Sequence, residues 1–112
     1  VFVQSELQER LGGRAEMIPR FIGLFCKGVV PELEGLSAAI DAEDMDLVRR
    51  HAHAIKGSAA NIAALRINST AAEIEKSAKE GDLSQASERL ILLQSEYKEF
   101  IEVLGGLGLL PG

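Results

Sequence analysis

The sequence predicts an all-α protein: an antiparallel up-down four-helix bundle with a short extra N-terminal helix. Three observations carry this. Apolar residues recur at steps of three and four along most of the 112 residues, the period of an amphipathic helix rather than the alternation of a strand. Brief breaks containing Gly or Asp separate the periodic stretches, and short connections make consecutive helices antiparallel neighbours. Ala, Leu, Ile and Glu dominate a composition that leans helical, and with no Trp, one Tyr and four Phe the core must be largely aliphatic.

The elements follow in order. Ser5 with Gln8 three residues on has the form of a capping box, opening a short helix that Gly12 and Gly13 close. A second helix begins near Ala15, and its apolar positions Ile18, Phe21, Ile22, Phe25, Val29, Leu33, Leu36 and Ile40 recur at helical spacing. Pro31 falls inside it and removes a backbone donor, so a bend near Gly28 to Pro31, or two abutting helices, is expected there. Asp44 is placed to cap a helix that runs through His51-Ala52-His53 to about Ala63. The next runs from about Leu65 to Glu80 with a narrow stripe of Ile67, Ala71, Ile74 and Ala78; Gly81 stops it and Asp82 caps its successor. The last carries Ala86, Leu90, Leu93, Tyr97, Ile101 and Leu104 on one face. Residues 1–104 therefore form one domain, and the Gly-rich residues 105–112 read as a tail or linker.

Charge and composition narrow the function. A net charge of −5 is wrong for a general nucleic-acid binder, which needs a basic face. No apolar run approaches the roughly 20 residues of a membrane span. The single cysteine, Cys26, makes neither an internal disulfide nor a cysteine metal cluster; in its apolar setting it reads as a structural thiol, and a cytoplasmic location fits. No Gly-rich nucleotide loop, Walker-type lysine or Mg²⁺-binding carboxylate pair is present. Starting at Val1 rather than Met, the chain reads as a piece trimmed from something longer.

The chemistry lies in the helix His51-Ala52-His53-Ala54-Ile55-Lys56-Gly57-Ser58. With His53 at zero and about 100° per residue, Lys56 and Arg50 fall about 60° away, Arg49 and Gly57 about 40°, and Ala60 and Ala64 almost in line. Val48, Ile55 and Ile62 cluster on the opposite side, which is the core side, so His53 points to solvent. His51 projects about 160° from His53, near the core, as a packed or boundary histidine hydrogen-bonded locally. The two cannot readily share a metal, because helical chelation needs i, i+3 or i, i+4 spacing. No metal site is expected.

An exposed imidazole can attack a phosphoryl group, a cation one turn away can offset the charge on the transferring oxygens, and a missing side chain at Gly57 clears the approach of a second protein. Each residue alone has a blander reading: a surface histidine, a solvated lysine, a glycine that permits close packing. Their placement on one face is what favours chemistry.

With these residues in view, the sequence resembles the histidine-containing phosphotransfer domain of multistep two-component signalling. The family's His-x-x-Lys-Gly followed by a small residue stands here as His53-Ala54-Ile55-Lys56-Gly57-Ser58, with Ala52 before it and Ala59, Ala60 and Asn61 after. The run Phe25, Pro31, Leu33, Leu36 resembles its preceding helix, and Ala72-Glu73-Ile74-Glu75 with the Gly81-Asp82 break its following helix and turn, over about residues 5–104. One departure is Ala63, where the family often has Gly.

The resemblance implies that His53 is phosphorylated, Lys56 is the phosphate-side cation and Gly57 the clearance residue. Arg49, Arg50, Ala60 and Ala64 would line the partner surface. In some members a polar residue on the following helix hydrogen-bonds the imidazole; Glu75 and Lys79 are both candidates, and the periodicity does not choose between them. The implied partners are response-regulator receiver domains and a sensor histidine kinase, with Mg²⁺ on the receiver and no cofactor on this chain, which is expected to be a monomer. The implied activity is a phosphocarrier without its own ATP-dependent kinase activity, accepting a phosphoryl group on His53 from a receiver aspartate and passing it to another. A kinase-substrate module of a larger sensor kinase, a receiver-docking module without transfer and a purely structural helical domain remain as alternatives.

Overall fold

A computed structural model describes residues 18–61 and 64–108 as four helices: α1 (Ile18–Asp41), α2 (Met45–Asn61), α3 (Leu65–Lys79) and α4 (Leu83–Gly106). The short N-terminal helix, the helix start near Ala15, and Ile62 and Ala63 lie outside the described residues. Each helix packs on its neighbour in sequence, and α1 closes the ring more loosely against α4. Three-residue connections turn the chain back each time, as the periodicity predicts. Among the described residues no helix is long and apolar enough to cross a membrane.

Local chemistry sets the helix ends. Asp44 Oδ1 accepts from the Leu47 amide at 3.2 Å, and Asp82 Oδ1 from the Gln85 amide at 3.0 Å, so both expected caps form. At the end of α3 the Gly81 amide donates to Ala78 O and the Asp82 amide to Ser77 O, with Gly81 at φ 72°. This reciprocal pair satisfies two carbonyls that a helix end leaves open. The end of α1 repeats the pattern, Glu43 to Ile40 O and Asp44 to Ala39 O, but the left-handed position is held by Glu43 at φ 56°.

The core is formed by Ile22, Phe25, Val29 and Leu36 of α1, Val48, Ala52, Ile55 and Ala59 of α2, Ile67, Ala71, Ile74 and Ala78 of α3, and Ala86, Leu90, Leu93, Phe100 and Leu104 of α4. Burying each large side chain contributes about 1.5–3 kcal/mol. Phe25 and Phe100 meet edge to face at 5.5 Å between ring centres and join α1 to α4.

Three expectations are corrected. Helix α1 runs through Pro31 as one helix and not as two abutting ones. Pro31 and Lys27, whose carbonyl loses its helical partner, both lie on the exposed side, where water can take the lost bond, while Val29 and Leu36 on either side stay buried. On α4 it is Phe100 that is buried: Ala86, Leu90, Leu93, Phe100 and Leu104 keep the alternation of four and three through Tyr97, while Tyr97 and Ile101 are half-buried and pack against the edge of the core. Finally, α4 continues through Gly105 and Gly106, two residues into the expected tail, and closes with Gly108 at φ 70°.

Candidate functional site

Helix α2 carries the site. Val48 and Ile55 are fully buried, and this fixes the rotation of α2 and turns the opposite face outward. The His53 side chain is 66% exposed. Its Nδ1 is 2.8 Å from Glu75 Oε2, and the other carboxylate oxygen, Oε1, accepts from Lys56 Nζ at 2.7 Å. Glu75 thus bridges the two α2 residues from α3. Its side chain is only 9% exposed. A carboxylate desolvated to this degree costs several kcal/mol unless both oxygens are paired, and here both are.

The hydrogen bond from Lys56 holds the Glu75 carboxyl below the usual carboxylate range; burial opposes it, and the His53 hydrogen bond adds to the lowering. An ionised carboxylate only accepts, so Nδ1 of His53 must carry the proton that it shares with Oε2. In the neutral ring the lone pair is then on Nε2, on the solvent side. The geometry selects one tautomer and presents one nucleophilic nitrogen.

Lys56 is therefore already paired with Glu75 rather than standing free beside His53. Its backbone is tied as well: Asn68 Nδ2, at the start of α3, donates to Lys56 O at 2.8 Å. Gly57 is exposed, and a Cβ built there meets nothing within 4 Å. Nothing inside the described fold requires that glycine. Arg49 is half-buried and Arg50 exposed on the same side of α2, and neither has an ion-pair partner among the described residues.

The low-relief strip is shorter than expected. Ala60 is half-buried, and Ala64 is 1% exposed, so Ala64 is a core residue and not part of an outer surface. Helix α2 ends at Asn61; the Ala64 amide turns back to Ala59 O at 2.9 Å, and the angular projection that aligned Ala64 with His53 no longer applies beyond that end. Of the two candidates on α3, Glu75 meets the imidazole. Lys79, one turn on, is exposed and makes no hydrogen bond to His53.

His51 lies on the other flank. Its Nδ1 is 2.6 Å from Glu32 Oε2 on α1, and its ring covers Gly35, where an added Cβ would come within 2.5 Å of Cε1. The pairing is between helices rather than local. Two His–Glu contacts thus tie α2 to its neighbours, one on each side. Neither the Asn68 contact nor the fit of His51 over Gly35 was visible in the sequence, because each joins residues whose mutual rotation no single-helix pattern contains.

Comparison with known proteins accords with this geometry. The profile of the Hpt domain family matches residues 20–103. The chain superposes on the crystal structure of histidine-containing phosphotransfer protein B (HptB) from Pseudomonas aeruginosa PAO1 with a TM-score of 0.80 and 25% sequence identity, covering 95% of this chain and 89% of that one. No curated protein sequence matches.

Proposed function

Since the chain belongs to the Hpt domain family, we propose that it is a phosphocarrier of two-component signalling in which His53 Nε2 takes a phosphoryl group from a receiver-domain aspartate and passes it to another. The observation that carries this reading is the Glu75–His53 contact, which leaves Nε2 as the nucleophile on an exposed ring.

The Nε2 lone pair attacks phosphorus of the partner's acyl phosphate. The P–N bond forms as the P–O bond to the aspartate breaks, and the aspartate leaves as a carboxylate. The ring, now substituted at Nε2 and protonated at Nδ1, is cationic, and the Glu75 carboxylate offsets that charge through the bond already in place. Lys56, one turn along, is within a side-chain swing of the transferred oxygens. Attack by a second receiver's carboxylate reverses the steps and restores the neutral ring.

Gly57 lets the partner's loops approach where a side chain would stand. Arg49, Arg50 and half-buried Ala60 form the docking surface, and the arginines are matched to the acidic aspartate cluster of a receiver. Mg²⁺ belongs to that partner, whose aspartates hold it. A monomer in the cytoplasm fits the reading.

The test is phosphoryl transfer from a phosphorylated receiver to wild type, His53→Gln and His51→Gln. Label that is stable to alkali, labile to acid and lost only in His53→Gln supports the carrier. Label lost instead in His51→Gln would overturn the assignment, and receivers that bind without labelling any form would make the domain a docking module.

A further inference from the structure

Two residues of α3 grip Lys56 from its two ends. Asn68 holds the backbone carbonyl and Glu75 the ammonium group. The arrangement follows from direction. A helix carbonyl points toward its own C-terminus, while the side chain leans toward the N-terminus. Helix α3 runs antiparallel to α2, so its start faces the carbonyl and its later turns face the side chain. Asn68 and Glu75 are seven residues apart, two turns or about 10.5 Å of rise on one face of α3.

We propose that Asn68 is the positioning residue of the site: its bond to Lys56 O sets the register of α3 on α2 and thereby places Glu75 between Lys56 and His53. The bond is compatible with an intact helix, because a carbonyl has two lone pairs and the helical amide uses only one. A polar tie adds to the register that Val48, Ile55, Ile67 and Ile74 set by apolar packing. Of the apolar residues buried on these two helices, Ala52, Ala59, Ala71 and Ala78 are alanines, whose single methyl groups interlock little. A slip of α3 by one turn would carry Glu75 about 5.4 Å along the axis, beyond hydrogen-bond reach of His53 Nδ1. Asn68 acts through Glu75 and touches neither the reacting nitrogen nor the phosphoryl group.

The consequence for transfer rests on the carrier reading above; the effect on the imidazole does not. The discriminating variant is Asn68→Leu, which keeps the branched shape and heavy-atom count, adds no charge and places a stronger helix former in α3. Asn68→Ala serves as a second, smaller variant and Asn68→Gln as the conservative one that retains the donor. The readouts are the ¹⁵N shifts of the His53 ring, which report the share of Nδ1–H tautomer, and the melting temperature.

The expected result is a folded Asn68→Leu with a near-native melting temperature and a smaller Nδ1–H share. Asn68→Gln should recover part of that share. Transfer from a receiver should slow roughly three- to tenfold, the loss of one modest hydrogen bond. A wild-type tautomer share in folded Asn68→Leu or Asn68→Ala would overturn the proposal. A wild type whose ring behaves as described but which no receiver labels would overturn the carrier reading while leaving the positioning role of Asn68 standing.

Discussion

Glu75 Oε2 lies 2.8 Å from His53 Nδ1 while its second oxygen holds Lys56 at 2.7 Å, so one buried carboxylate on α3 orients the imidazole and the ammonium group together. Glu75→Gln keeps the shape but cannot accept strongly from both partners. Hydrogen bonds to charged groups are worth about 1.5–3 kcal/mol, so single-turnover labelling of His53 should slow by roughly ten- to a hundredfold. Rapid-quench labelling by a phosphorylated receiver measures it; an unchanged rate would remove Glu75 from the chemistry.

The same carboxylate gives stability a pH dependence. Its pKa in the folded chain is depressed below the ordinary 4.5, chiefly by the Lys56 hydrogen bond. The unfolded state therefore binds the proton more readily, and the contribution of Glu75 is fully present above pH 4.5 and lost as pH falls through the lower folded value. Urea unfolding between pH 3 and pH 7 (about the accessible range) should show the gap between wild type and Glu75→Gln shrinking toward the acid end. A gap that widens there would reverse the sign.

At Gly57 stability and function should part. The position is exposed and an added methyl meets nothing within 4 Å, so Gly57→Ala should stabilise the fold by about 0.5–1 kcal/mol through helix propensity. Transfer should nevertheless slow, because the methyl intrudes on the partner's approach. Thermal melting and labelling on the same sample decide it, and a faster or unchanged transfer would show that the space is not used.

Gly35 makes the opposite case. Gly35→Ala drives a Cβ to 2.5 Å from the His51 ring and displaces it from Glu32. The expected loss is about 1–3 kcal/mol, the usual penalty for overpacking. In a His51→Ala background the obstacle is gone, and the same substitution should become stabilising by about 0.5–1 kcal/mol. A double-mutant cycle in urea would show the change of sign, and equal effects in both backgrounds would rule out the contact.

Arg49 and Arg50 have no ion-pair partner among the described residues and are free to steer a partner. Arg49→Ser with Arg50→Ser should lower the association rate with an acidic receiver and flatten its salt dependence, leaving the melting temperature within about 0.5 kcal/mol equivalent of wild type. Stopped-flow binding at several ionic strengths measures both.

Much of the fold was legible because the signals are local. The caps at Asp44 and Asp82, the turn at Gly81 and the stripe Ile67, Ala71, Ile74, Ala78 depend on residues within one or two turns of each other, and all are present. The outward direction of His53 followed from Val48 and Ile55 on the same helix. Where a projection was carried past the end of its helix it failed: Ala64, aligned with His53 on an extended helix, turns into the core once α2 stops at Asn61. The division into two abutting helices at Pro31 failed for a different reason, since tolerance of a lost backbone bond depends on which side of the bundle that bond faces.

The sequence by itself determined the four helical segments, the caps at Asp44 and Asp82 and the face of α2 that carries His53, Lys56 and Gly57, since a helix's period is set by its own i to i+4 geometry. Only the tertiary structure decided which of Glu75 and Lys79 meets the imidazole, that Lys56 is already paired, that Asn68 grips its carbonyl and that His51 pairs with Glu32 of α1. Those contacts join residues 12 to 22 positions apart across a helix seam. They exist only once two helices have settled their rotation and axial register against each other, and that is a property of the packed pair.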